Sequence, residues 1–204
     1  MEVPFFIQGC LLGFSIAAPV GPIGVLCIRR TLSAGRPAGL CSGLGAACAD
    51  SVYGSIAAFG LSALSGILLT YQHELRLVGG LFLLYLGGRT FLAPPASLEP
   101  TAAPIAGRLA DFGATLFLTL ANPMTILSFT AIFAGLGIGG RPGDYAASTF
   151  MVGGVFCGSL LWWCILAATV SRFRSRLGPG NLRLVQHVSG AILVSFGLVS
   201  LFAK

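Results

Sequence analysis

Asp50 lies near the centre of a long apolar stretch, and no other acidic residue sits deep in such a stretch. A carboxylate at the middle of a bilayer costs roughly 2.5–3.5 kcal/mol on insertion scales, so it normally faces a cavity or a partner. Two chemistries follow. Asp50 can exchange a proton, or it can pair with a substrate ammonium. The structural alternative is a hydrogen bond to a neighbouring Ser, Tyr or broken-helix backbone.

The second signal is a pair of proline breaks at matching places in the two halves. One reads Ala18-Pro19-Val20-Gly21-Pro22 and the other Ala121-Asn122-Pro123. Pro removes a backbone donor and clashes with the preceding turn, so it frees carbonyls. At membrane depth such groups are tolerated only where protein or a water-filled cavity satisfies them. Paired breaks of this kind point to a midplane substrate site in carriers. The N-terminal end of a half-helix carries partial positive charge and free N–H groups, which suit a carboxylate. The candidate substrate or proton site is therefore Asp50 and Asn122 with Pro19, Gly21, Pro22 and Pro123. The alternative is a pair of kinks that only shape packing.

These residues need helices to carry them. Of 204 residues, 55% are hydrophobic and 9% charged, against about 25% charged in soluble domains. The chain is an all-α integral membrane protein whose partner is the lipid bilayer. Met1-Glu2 opens it without a basic region, so the first apolar segment is expected to be retained. Six spans of the required length (roughly 20 residues) are expected at about 5–28, 38–66, 75–93, 111–136, 146–170 and 183–203. The first and fourth are the broken ones.

The first, third and fifth loops hold Arg29, Arg30, Arg36, Arg89, Arg108, Arg172, Arg174, Arg176 and Arg183. The other face holds Arg76, Arg141 and Lys204. Basic residues in short loops mark the cytoplasmic side, so both termini should face the periplasm. This distribution also accounts for the net charge of +6, and no basic patch with interleaved aromatics suggests nucleic acid.

The halves look related. Leu75-Arg76-Leu77-Val78 parallels Leu182-Arg183-Leu184-Val185, and Gly39/Gly43 parallels Gly154/Gly158. Three spans per half is an odd number, so the halves must be inverted relative to each other. The expected organisation is a first three-helix repeat at 1–93, a Pro-rich linker at 94–110 and a second three-helix repeat at 111–204. Inverted repeats are a recurring device for alternating access.

Other residues have plainer readings. The Gly-xxx-Gly pairs Gly9/Gly13, Gly39/Gly43 and Gly154/Gly158 permit close helix approach. They pack the repeats together or form a homodimer face. Cys10, Cys27, Cys41, Cys48, Cys157 and Cys164 all fall in expected spans and read as packing residues. Trp162 and Trp163 read as the lining of a cavity gate or, more commonly for such residues, as lipid-facing or near-interface aromatics, and His187 reads as interfacial. No nucleophile triad, phosphate loop or metal-ligand cluster appears, so the chain reads neither as an enzyme nor as a cofactor protein.

The chain resembles the lysine-exporter (LysE/RhtB) family of bacterial amino-acid efflux carriers. The resemblance spans nearly its whole length. Ala-Pro-Val-Gly-Pro-Ile-Gly-Val-Leu at 18–26, then Arg30-Thr31-Leu32, Gly35-Arg36 and Gly39, resemble the family's Pro-Gly-Pro motif and its basic Gly-rich turn. Gly43, Gly45 and Asp50 are similar to its second span, Gly79-Gly80 through Leu86-Gly87 to its third, and Asn122-Pro123 to its Asn-Pro motif. Residues 154–163, Gly-Val-Phe-Cys-Gly-Ser-Leu-Leu-Trp-Trp, resemble a branch of uncharacterised translocators. The resemblance implies export of amino acids or similar small metabolites across the inner membrane, driven by the proton motive force. Superfamily relatives that move manganese or cadmium make a divalent cation the alternative cargo. A thiol-redox conduit is the alternative of another class, because Cys10 and Cys27 flank the first break. One departure stands out: many amino-acid exporters follow Asn-Pro with Lys, where this chain has Met124.

Overall fold

Proline and glycine set the ends of the first helices. α1 (Val3–Ala17) stops before Pro19, and α2 (Pro22–Ala34) starts with Gly21 as its cap and Pro22 in its first turn. Pro fits that position because its missing N–H would have no intrahelical partner there. The two helices meet at 81°. α3 (Arg36–Ala58) follows after the single residue Gly35. Gly35 has φ +86 and closes α2 by donating its N–H to the Thr31 carbonyl at 3.1 Å. An L side chain rarely adopts that conformation. The remaining helices are α4 (Gln72–Leu92), α5 (Ile105–Leu120), α6 (Tyr145–Arg174) and α7 (Pro179–Phe202). The computed structural model describes residues 3–19, 21–59, 70–92, 105–122, 125, 128–129, 145–174 and 179–202.

The described residues form a helical membrane protein without strands. α4, α6 and α7 are each long and apolar enough to cross a bilayer, and α1 with α2 passes as one bent pair. Large apolar side chains point outward on their rims, among them Ile7, Leu11, Leu81, Leu161, Leu184 and Val199. Faces of that kind belong against lipid, where no polar cover is needed.

The expected boundaries shift at several places, and α7 starts at Pro179, ahead of the expected 183. Arg29 and Arg30 were expected in a loop but lie inside α2, which runs on to Ala34. α5 begins at Ile105, within the stretch read as linker, and it breaks at Asn122. α6 extends past the expected residue 170 to Arg174. In α2 and α5 the helix continues where polar side chains find partners: Arg29 bonds Thr90, and Arg30 pairs with Asp111. Residues 60–69, 93–104 and 130–144, and with them parts of the second and fourth expected spans, lie outside the described residues.

Glycines decide which helices touch. A Cβ at Gly9 would lie 2.1 Å from the Met151 carbonyl oxygen, and one at Gly13 would lie 2.1 Å from that of Val155. Gly154 and Gly158 meet the Phe6 and Cys10 carbonyls as closely. The Gly-xxx-Gly pairs of α1 and α6 therefore join the two halves of this chain, with both helices running the same way. α3 also runs alongside α5, where Gly45 lies against Phe112 and Leu116. α3 crosses α6 in the opposite sense, with Gly43 on Trp163 and Gly54 on Val155. α4 and α7 are likewise antiparallel through Gly80 with Gly197 and Gly87 with Gly190. α2 rests on α3, α6 and α7.

These pairings gather the arginines. Arg29 of α2 bonds Thr90 at the end of α4, Gln186 near the start of α7 bonds the Thr90 carbonyl, and Arg30 pairs with Asp111 near the start of α5. Gly39 packs on Ala167 and Gly35 approaches Arg174 at the end of α6. At the opposite end, Ser200 bonds the Arg76 carbonyl and Phe59 stacks on Tyr145.

Candidate functional site

A cavity of about 70 Å³ lies where the first break meets α3, α5 and α6. A water needs roughly 10–15 Å³ by this measure, so several fit. Its wall includes Pro19, Gly21, Pro22, Asp50 and Asn122. Five of the six residues singled out from the sequence thus share one cavity. The sixth, Pro123, lies outside the described residues, as does Met124.

Each wall has a local cause. α3 is rich in Gly, Ala and Ser, which lets α5 and α6 approach its backbone and leaves Asp50 surrounded by protein at 3% exposure. Asp50 is tied to the second half of the chain: Ser159 of α6 donates to its Oδ2 at 2.6 Å. The Trp163 indole N–H donates in turn to Ser159 Oγ at 3.1 Å. Ser159 and Trp163 are four residues apart on one face of α6. The chain of donors ends on an acceptor, which is the arrangement a carboxylate requires. Asp50 thus both accepts a hydrogen bond and lines the cavity. Among the described residues no cation pairs with it.

The breaks supply the remaining wall. Gly21 offers α2 no side-chain cap, and Ile23 and Gly24 of its first turn line the cavity. First-turn N–H groups have no intrahelical acceptor by construction. On the other side, α5 ends as Asn122 turns back, its N–H on the Thr119 carbonyl at 3.2 Å, and Thr125 N–H reaches the Asn122 carbonyl at 3.1 Å. Tyr53, one turn beyond Asp50 on α3, donates its hydroxyl to the Leu120 carbonyl at this break. Thr119 and Thr125 add hydroxyls to the wall, while Ile16, Ala17, Ile23 and Ala46 add apolar surface.

Of the two readings of Trp163, lipid-facing and cavity-lining, the side chain takes the second: it is 4% exposed and lines the cavity with Asp50. The Gly43 position makes room for it, because its Cβ lies where a side chain on residue 43 would go. Sequence reasoning also passed over Ser159, Thr119, Thr125 and Tyr53 as site residues. The available signal was spacing: Ser159 and Trp163 one turn apart on α6, and Thr115 and Thr119 one turn apart on α5. Among the described residues of the cavity wall there is no cysteine, Cys10 and Cys27 beside the first break included. Among the described residues no three His, Cys, Asp or Glu side chains cluster as a metal group.

Known proteins resemble the chain along most of its length. The family model described as LysE type translocator matches residues 14–203. A Bacillus subtilis (strain 168) protein named "Putative amino acid efflux protein YcgF" is 28% identical over 198 residues, covering 94% of this chain and 92% of its own. An Escherichia coli (strain K12) protein, "Uncharacterized membrane protein YahN", is 29% identical over 177 residues, covering 84% of this chain and 77% of its own. No solved structure matches it.

Proposed function

Because the chain belongs to the LysE-type translocator family, we propose that it exports amino acids or related small metabolites, driven by the proton motive force. The observation that carries this reading is the convergence of the first break, Asn122 at the second break, and Asp50 on one cavity. The efflux name of the Bacillus subtilis relative supports the substrate class.

In this account Asp50 pairs with a substrate ammonium or carries the coupled proton. Ser159 and Trp163 hold its carboxylate in place. The first turn of α2 faces a substrate carboxylate, and Asn122, Thr119 and Thr125 take the remaining polar groups. Pro123 completes the second break. No bond of the substrate is made or broken.

Alternation follows from two inverted repeats, residues 1–93 and 111–204, rocking about the cavity. The helix pairings favour this. Exchanging α1 with α5, α3 with α6 and α4 with α7 turns the α1–α6 contact into the α5–α3 contact and leaves α3–α6 and α4–α7 unchanged. The senses agree as well, since α1–α6 and α3–α5 are both parallel. The arginine-rich end is then cytoplasmic and both termini periplasmic, in the inner membrane. A divalent cation is the weaker cargo, because Asp50 is the single carboxylate on the described wall and hard cations want six or more oxygens.

The test is efflux from cells preloaded through dipeptides covering the common amino acids. Faster appearance of one amino-acid class outside, lost on adding a proton uncoupler, is expected. No difference for any amino acid would overturn the substrate class.

A further inference from the structure

α2 is a single helix set between two interruptions of the helical backbone. Behind it lies the Pro19–Gly21 break, and ahead of it the single residue Gly35. The apolar face of α2 packs in the core, with Leu26 and Cys27 fully buried, and its polar side is tied through Arg30. That guanidinium meets Asp111 Oδ1 through Nε at 2.8 Å. Its Nη1 also reaches the Asp111 carbonyl at 2.8 Å, Thr115 Oγ1 at 2.7 Å and Ser42 Oγ at 3.0 Å. One side chain thus ties α2 to both α3 and α5. Arg29 adds a bond to Thr90 of α4 at 2.6 Å.

The same residues continue toward the cavity. Asp111, Thr115 and Thr119 lie on one face of α5, and Asn122 follows just past its end. The helical part of this stripe runs about 12 Å at the rise of an α-helix. Its inner end, Thr119 and Asn122, is cavity wall. Its outer end is covered by Arg30. A largely buried ion pair is weak evidence of stability but is well suited to a two-state element. We propose that α2 is the gate between the cavity and the arginine-rich end, and that the Arg30–Asp111 pair is its latch, closed in this structure. The hydroxyl stripe of α5 is the polar path that opens when the latch releases. This rests on the carrier reading above.

The test labels a single cysteine at the cavity, Thr119→Cys, in a chain whose six native cysteines are replaced. A membrane-impermeant maleimide is applied to the arginine-rich face of vesicles. With Arg30 and Asp111 intact, labelling is slow. In Arg30→Gln with Asp111→Asn, which leaves no unpaired charge, it rises at least about tenfold, the scale of one lost charge-assisted hydrogen bond. Thr115→Val, which removes one Arg30 acceptor while keeping shape, gives a smaller rise and serves if the double variant does not fold. Unchanged labelling in either folded variant overturns the latch. The readout needs neither substrate nor gradient, so it stands apart from any failure of the amino-acid efflux assay.

Discussion

Ser159 donates a 2.6 Å hydrogen bond to Asp50 across 109 positions of sequence, joining the two halves of the chain at the wall of the cavity. The donor is itself held by Trp163 at 3.1 Å. The candidate site therefore depends on how α6 presents three consecutive turns to α3: Val155 against Gly54, Ser159 against Asp50 and Trp163 against Gly43.

Ser159→Ala removes the donor and leaves Asp50 short of a partner. Hydrogen bonds to charged groups contribute about 1.5–3 kcal/mol. Export by the variant is expected to fall roughly tenfold or more at unchanged protein level, with Ser159→Thr keeping most of it. Initial efflux rates normalised to immunoblot intensity decide this, and equal rates for Ala and wild type would count against the role.

Tyr53→Phe strips the hydroxyl from the Leu120 carbonyl at the break in α5. An unsatisfied buried carbonyl costs about 1–3 kcal/mol. The variant is expected to melt earlier in detergent by light-scattering or dye-binding scans. A melting point equal to wild type would mean that water replaces the tyrosine.

Gly13→Ala places a methyl 2.1 Å from the Val155 carbonyl oxygen, and backbone cannot yield as a flexible side chain would. Overpacking typically costs 1–3 kcal/mol, so about that loss is expected. Gly113→Ala is the matched control, since nothing lies within 4 Å of its Cβ. There the better helix propensity of Ala makes the change neutral or stabilising, by up to about 1 kcal/mol. Comparable losses in the two variants would argue against the α1–α6 contact as drawn.

Gly35→Ala forces a methyl-bearing residue to φ +86 at the α2–α3 turn. With ψ 175 this is the positive-φ extended region open essentially to glycine alone, and it costs other residues about 1–3 kcal/mol. A lower melting temperature is expected, whereas an unchanged one would place the turn in a different conformation.

Much of this was legible in the sequence because apolar surroundings make exceptions visible. Asp50 stands out as a lone charge, and Pro19, Pro22 and Asn122 stand out as interruptions, so each could be named before any contact was known. The partners could not. Ser159 and Trp163 resemble ordinary members of an apolar helix, and only the close approach that Gly43 and Gly54 allow brings them to Asp50. Arg29 and Arg30 misled for a related reason. Arginines near a span end usually lie in loops, but here Asp111, Thr115, Ser42 and Thr90 offer enough acceptors to draw both into a helix. Polar stripes that satisfy one another leave no mark in hydropathy.

The central claim is that Asp50 does the coupling or substrate-binding work of an exporter. The most direct measurement reconstitutes the wild type and Asp50→Asn in liposomes at equal density and follows labelled amino acids moved by an imposed pH gradient. Asn matches Asp in shape, so insertion and folding are expected to persist, checked by size-exclusion profile. Gradient-driven movement by the wild type, lost in Asp50→Asn, is the predicted result. A folded Asp50→Asn protein that moves substrate at the wild-type rate, with the same response to the gradient, would contradict the account.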